Sequence, residues 1–133
     1  MSKAKYPDVG VLLYGGKREE GFNRNIAGAV GDLITDTGCG NSIEEFAALI
    51  GLSDIFLTPD SLGMHLSAAL GKATVALVGP TSPWEIDLFG CGEVIYAKNL
   101  DCICCYLPSC EKNVNCMNSI SAQTALEALG KYL

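Results

Sequence analysis

Ile55 to Thr81 reads IFLTPDSLGMHLSAALGKATVALVGPT, and this stretch decides the fold. Ile55-Phe56-Leu57-Thr58 is short and apolar, as expected of a strand covered on both faces. Pro59 should end it, since proline gives no N–H to a sheet ladder. Asp60 and Ser61 are both good helix N-caps. The helix is expected over Leu62–Leu70, with Leu62, Leu66, Ala69 and Leu70 on one side. Gly71 stops it, and Thr74-Val75-Ala76-Leu77-Val78 is the next strand. A Gly-Pro-Thr loop follows. Polar residues thus gather where a strand ends and a helix begins, the place where open α/β sheets hold ligands. A helix N-terminus offers free N–H groups and about half a positive charge, so phosphate suits it. His65, the chain's single histidine, lies one turn into this helix.

Working outward, Val9 to Tyr14 (VGVLLY) reads as a buried strand running into Gly15-Gly16. Lys17 to Val30 has helical periodicity, with Phe22, Ile26, Ala27 and Val30 on one face and Glu19 and Glu20 at its start. Taken alone, Glu19 is a solvated first-turn acid. Leu33 to Thr35 is a short strand, and Asp36 to Asn41 a polar loop. Ser42-Ile43-Glu44-Glu45 has the capping-box pattern that opens a helix to Ile50. Downstream, Ser82-Pro83 predicts a helix over Trp84–Phe89, closed by Gly90 and Gly92. Glu93 to Ala97 is a fifth strand, and Ser121 to Tyr132 a last helix with Ala125, Leu126, Leu129 and Tyr132 as its apolar face. Five strands alternating with helices give an α/β fold with a doubly wound, Rossmann-like parallel sheet.

Composition narrows the function classes. The 133 residues suit a single domain, 1–133, and 49% are hydrophobic. A net charge of −6, without any Lys/Arg run, argues against nucleic acid as a partner. No apolar run approaches the ~20 residues of a transmembrane helix. Met1 to Pro7 lacks the apolar core of a secretory signal, so a cytoplasmic protein is expected. Seven cysteines in a reducing compartment read as thiols or metal ligands rather than a disulfide framework, and the odd count forbids complete pairing.

Most of them lie in a Cys-rich loop, residues 101–117, DCICCYLPSCEKNVNCM. Cys102, Cys105, Cys110 and Cys116 form C-x2-C-x4-C-x5-C, with Cys104 extra. Four thiolates from one loop can take structural zinc, or iron in an iron–sulfur cluster. One CxxC followed by two irregular cysteines is a weaker sign than paired knuckles, and a loop of reduced or partly disulfide-linked cysteines that packs through sulfur's apolar character is favoured. With little else to order it, the loop is expected to pack beside the last helix.

Together these pieces resemble glycosyltransferase family 9, the lipopolysaccharide heptosyltransferases, from about residue 9 to residue 132. Gly15-Gly16-Lys17-Arg18-Glu19, Asp36-Thr37-Gly38 with Asn41-Ser42, Asp60-Ser61-Leu62-Gly63-Met64-His65, Gly79-Pro80-Thr81-Ser82, Glu85-Ile86 and the cysteine loop ending in Cys116-Met117 come in the family's order. One departure is the glycine of the central turn. Many members read Asp-Ser-Gly-Pro-Met-His, whereas here the glycine falls one place later, at Gly63.

The resemblance implies the C-terminal half of a two-domain GT-B enzyme, the half that holds the nucleotide-sugar donor, typically ADP-heptose. It assigns Glu19 to the ribose and Asn41 to the border of the nucleoside. Ser61 with the amides of Leu62 and Gly63 would take the diphosphate, Asp60 the sugar, His65 the phosphate side, and Thr81 the adjoining loop. No cofactor is required by the family, so any metal in the cysteine loop would be structural. The general base belongs to an N-terminal acceptor domain that is expected to be absent, so this chain is expected to bind donor without turnover. It carries no assigned catalytic residue, and the face uncovered by the missing parts is expected to favour a homodimer. The implied role is lipopolysaccharide core or related glycan synthesis, at the inner face of the inner membrane. A non-catalytic nucleotide-binding or protein-docking module is the alternative. A nucleotide-sugar epimerase half is disfavoured by the cysteine loop and the GPTS–Glu85-Ile86 stretch.

Overall fold

The computed structural model describes Tyr6 and residues 8–133, so the Met1–Pro7 stretch read for a signal lies, Tyr6 apart, outside the described residues. All five expected strands form, and every pairing is parallel. They divide between two compact units, one up to Phe46 and one from Ala47.

In the first unit, β1 (Val11–Leu13) pairs with β2 (Ile34–Asp36), and α1 (Glu20–Val30) connects them through a 3-10 turn at Gly31–Leu33. Helix α1 starts three residues later than Lys17, because Gly15 to Glu19 form a tight turn instead. Its periodic stripe is real but open: Phe22 is 73% exposed, and Asn23 is the helix's one buried residue. The side of α1 that the fold uses is therefore polar.

Helix α2 (Ile43–Leu52) opens as the sequence predicts. The Ser42 hydroxyl accepts the Glu45 N–H at 3.2 Å, and the Glu45 carboxylate accepts the Ser42 N–H at 2.8 Å. The Glu44 carboxyl lies below the usual carboxylate range, held there by its own backbone N–H and by Ser42.

The second unit is a three-stranded sheet in the order β3 (Ile55–Pro59), β4 (Ala73–Val78), β5 (Gly92–Tyr96). Pro59 is the last residue of β3, in register with Leu77, and tolerates that place because β3 is an edge strand of this sheet. Strand β4 lies between two neighbours, and Val75, Ala76 and Val78 are fully buried. Helix α3 (Leu62–Ala69) packs on β3 and β4, but by the side opposite to the one its leucines suggest. Gly63, Met64, Ser67 and Ala68 are buried, whereas Leu62 and Leu70 are about half exposed. Small residues let the helix axis approach the sheet, and flexible Met64 fills the remaining gap. Ser67 Oγ and Thr74 Oγ1, both fully buried, satisfy each other at 2.8 Å.

The helix expected over Trp84–Phe89 does not form. Leu88 is buried in the core cluster with Met64, Ala68, Ala76 and Val78, and Ile86 packs against the same cluster. That is a two-residue spacing, the period of extended chain. Asp87 then accepts the Phe89 N–H at 2.7 Å, and Phe89 and Gly90 turn the chain with φ of 52° and 75°. Helix α4 (Ala122–Leu129) is capped by Ser121, whose hydroxyl accepts the Thr124 N–H at 3.0 Å. It buries Ala125 and Ala128, while Leu126 and Leu129 are half-buried and Tyr132 is exposed. Among the described residues no helix is long and apolar enough to cross a membrane.

Candidate functional site

The residues singled out in the sequence fall into both units, Glu19 and Asn41 in the first and the other six in the second. Glu19 closes the Gly-Gly turn before α1. Its N–H donates to the Gly16 carbonyl and its Oε2 accepts the Gly16 N–H, both at 2.9 Å. Gly15 is required by close approach, since a Cβ there would lie 2.8 Å from Asn23 Nδ2 and 2.9 Å from Glu19 Cβ. One bond leaves most of the acceptor capacity of the exposed Glu19 carboxylate available.

Asn41 ties down the Asp36–Asn41 loop by donating from Nδ2 to the carbonyls of Thr37 and Gly38, each at 3.3 Å. The same loop is fixed by Thr37 Oγ1 on the Leu13 carbonyl and by Asp36 on the Gly38 N–H, both at 2.9 Å. Between α1 and this loop lies a cavity of about 400 Å³, lined by Lys17, Glu20, Arg24, Asp36, Gly38, Cys39 and Gly40. Two cations and two carboxylates make it polar, and Arg24 and Glu20 pair at 3.0 Å. Partial burial pushes the Cys39 thiol up, helped by Asp36, Glu20 and Glu19 and opposed by the Asn23 amide.

In the second unit the end of β3 builds the turn. Thr58, buried, shares a 3.0 Å hydrogen bond between its hydroxyl and that of Ser61. Ser61 is the N-cap by backbone position, extended at φ −160°, yet its side chain does not cap the helix. Its carbonyl accepts the N–H groups of Met64 and His65 at 3.1 and 3.5 Å. The amides of Leu62 and Gly63, as the first of the helix, have no intrahelical acceptor. Asp60, expected as a cap, instead accepts the Thr81 hydroxyl through Oδ2 at 2.6 Å. That bond joins the turn after β3 to the loop after β4. Asp60 and His65 are exposed, and Gly63 is buried, so the later glycine sits against the sheet while the Leu62 side chain points away from it.

A sequence model of glycosyltransferase family 9 (heptosyltransferase) matches residues 5–120, most of the chain. The chain belongs to glycosyltransferase family 9. It is 32% identical over 92 residues to lipooligosaccharide heptosyltransferase 2 of Campylobacter jejuni serotype O:2, a match covering 65% of this chain and 28% of that protein. The serotype O:6 counterpart is 29% identical over 96 residues, 68% of this chain and 29% of that one. The solved structure of E. coli ADP-heptose lps heptosyltransferase II aligns with 98% of this chain and 38% of its own, at a TM-score of 0.72 and 22% identity. The likeness establishes the Rossmann-like α/β fold. This family 9 chain thus spans less than a third of the curated relatives it matches.

The cysteine loop of this family 9 chain does not bring its four spaced thiols together. All seven cysteines are free, and among the described residues no group of three or more His, Cys, Asp or Glu side chains converges on one point. Cys102, Cys105, Cys110 and Cys116 thus do not converge on one point in this structure. The loop is ordered by asparagines instead. Asn115 and Asn118 accept each other's backbone N–H at 2.8 and 3.0 Å, and Asn118 Nδ2 donates to the Asn113 carbonyl at 3.1 Å. Rather than merely flanking the last helix, the loop rests on the connection after β4. The Tyr106 N–H donates to the Pro80 carbonyl at 2.9 Å, and the Tyr106 hydroxyl to Glu85 at 3.0 Å.

Thr58, Tyr106 and the Lys17–Arg24 cavity were not legible as site features. Thr58 read as an apolar-strand residue, and Tyr106 lies 21 residues beyond Glu85 with no pattern to join them. Lys17 and Arg24 fall seven apart on a helical pattern, a weak signal that they share a face.

Proposed function

We propose that this chain is the donor-binding part of a heptosyltransferase-like enzyme of lipopolysaccharide core or related glycan synthesis, taking a nucleotide-sugar such as ADP-heptose on the Asp60–His65 turn. The observation that carries the reading is the turn itself: a helix N-terminus with free first amides, beside an Asp60 fixed by Thr81. The Leu62 and Gly63 N–H groups and the helix dipole suit a diphosphate, and Ser61, steadied by Thr58, stands beside them. Asp60 keeps one carboxylate oxygen for sugar hydroxyls. His65, exposed in the first turn, serves the phosphate side.

Sugar transfer needs a base at the acceptor hydroxyl and stabilisation of charge on the departing diphosphate. This chain's turn serves the second need; the base is assigned to the portion of the relatives outside the matched segment. Cytoplasmic location suits both the donor class and the free thiols.

Titrating the isotope-labelled chain with ADP, ADP-heptose and a UDP-sugar tests this. ADP-heptose should perturb residues 60–65 with a Kd of order millimolar, and the UDP-sugar should bind more weakly. Perturbations confined to the cysteine loop, or equal binding of the UDP-sugar, would sink the assignment.

A further inference from the structure

We propose that the Cys-rich loop is the buttress of the donor turn and that Tyr106 is a positioning residue for it, acting through Thr81. This rests on the Asp60–His65 turn as donor site. Asp60 owes its fixed position to the Thr81 hydroxyl at 2.6 Å, so the backbone of Thr81 must itself be held. Thr81 lies outside regular structure, and Pro80 beside it has no N–H to offer. The Pro80 carbonyl is the backbone group through which the loop holds this position.

The loop takes hold of it at three points. Tyr106 N–H donates to the Pro80 carbonyl at 2.9 Å, immediately before Thr81. Its hydroxyl reaches Glu85 at 3.0 Å, four residues after Thr81. One residue thus brackets Thr81 from both sides. Met117 and Cys116 close the third point over Gly79, where a Cβ would meet Met117 Sδ at 2.8 Å and Cys116 Sγ at 3.3 Å. Gly79 leaves room for this contact, and a larger residue there would have to displace the Met117 side chain.

The backbone of Tyr106 shows how firmly the arrangement is determined. Its φ is +53°, a left-handed conformation that a bulky side chain adopts only when its surroundings require it. Cys104, two residues earlier, is also left-handed at +61°. These two reversals shape the short stretch from which Tyr106 turns its N–H and its phenol to the same segment. The carboxylate of Glu85 holds the phenol above the usual tyrosine range, consistent with a donated bond to a charged acceptor.

Three variants test it in the full chain, with ADP-heptose as the probe and ADP as the control. Tyr106→Phe keeps the backbone bond to Pro80 and loses the phenol's ties to Glu85 and to neighbouring Ser82; Glu85→Ala removes the Glu85 tie alone from the other end. Each should shift the Asp60 and Thr81 resonances before donor is added, and weaken ADP-heptose binding about three- to tenfold, the range of one ordinary hydrogen bond, with ADP little affected. Glu85→Gln, whose amide oxygen still accepts from the phenol, should restore both readouts, which a merely lost packing contact would not predict. Wild-type Asp60 and Thr81 signals in Tyr106→Phe, or failure of Glu85→Gln to restore them, would overturn the proposal. Were the wild-type chain to ignore ADP-heptose, the donor reading would fall, and the ligand-free resonances alone would still decide whether Tyr106 positions Thr81.

Discussion

At the scale of single residues, the chain spends its polar side chains on fixing loops. Asp60, Ser61, Glu19 and Asn41 are each engaged locally, with Thr81, Thr58, Gly16 and the Thr37–Gly38 carbonyls respectively. Such bonds preorganise a site at the cost of some of its acceptor capacity. Thr81→Val, nearly isosteric, should therefore release Asp60 while leaving the fold intact. Sugar-dependent donor binding should weaken severalfold, about one hydrogen bond's worth, while ADP itself is little affected; equal loss for both ligands would argue against a sugar-facing Asp60. Cys39 offers a pH readout. Its thiol is raised in the folded chain by partial burial and nearby carboxylates. The stability it contributes is thus fully present below the unfolded thiol's range and is lost as pH rises through the folded value. Cys39→Ser should flatten the alkaline decline of Tm, and an unchanged profile would show that Cys39 titrates normally.

At the scale of elements, helix ends and buried pairs divide the stabilisation. The Ser42–Glu45 box supplies α2 with two first-turn bonds. Ser42→Ala should cost about 1 kcal/mol, read by denaturant titration, and Ser42→Asp should recover most of it. The Ser67–Thr74 pair joins α3 to β4 without access to water. Thr74→Val should be worse, about 1–3 kcal/mol, because it strands the Ser67 hydroxyl in the core. Ser67→Ala should be milder, since Thr74 keeps its 2.9 Å bond to the Lys72 carbonyl. The reverse order would mean that Ser67 finds another partner. Helix α3 shows why leucine spacing misled: eight residues over a three-stranded sheet bury whichever side permits the closest approach, and Gly63, Ser67 and Ala68 outweigh Leu62, Leu66 and Leu70.

At the scale of the whole molecule, the cysteines are the feature whose role changes most between chain and fold. Four thiols within fifteen residues suggest a metal, yet the loop is held by Asn115, Asn118 and Tyr106, and it holds Gly79 to Glu85 in turn. A chelator should leave Tm unchanged, and added zinc should not raise it by the amount a tight structural site implies. A rise of Tm that saturates at one zinc per chain would restore the metal reading.

What the order of residues determined by itself was the alternation of five strands with helices, their parallel pairing, the α2 capping box and the family. These rest on local periodicity, caps and short motifs that any reading frame of a few residues exposes. Tertiary structure alone decided the buried side of α3 and the non-helical path of Trp84–Phe89. It also decided the Asp60–Thr81 bond and the docking of Tyr106 on Pro80 and Glu85. Each of those depends on which residues far apart in the chain come within a few ångströms, and on whether a small side chain admits a neighbour. Local pattern carries no information on either. The carboxylate of Asp60 reads as a helix cap until Thr81, 21 residues on, is brought to it.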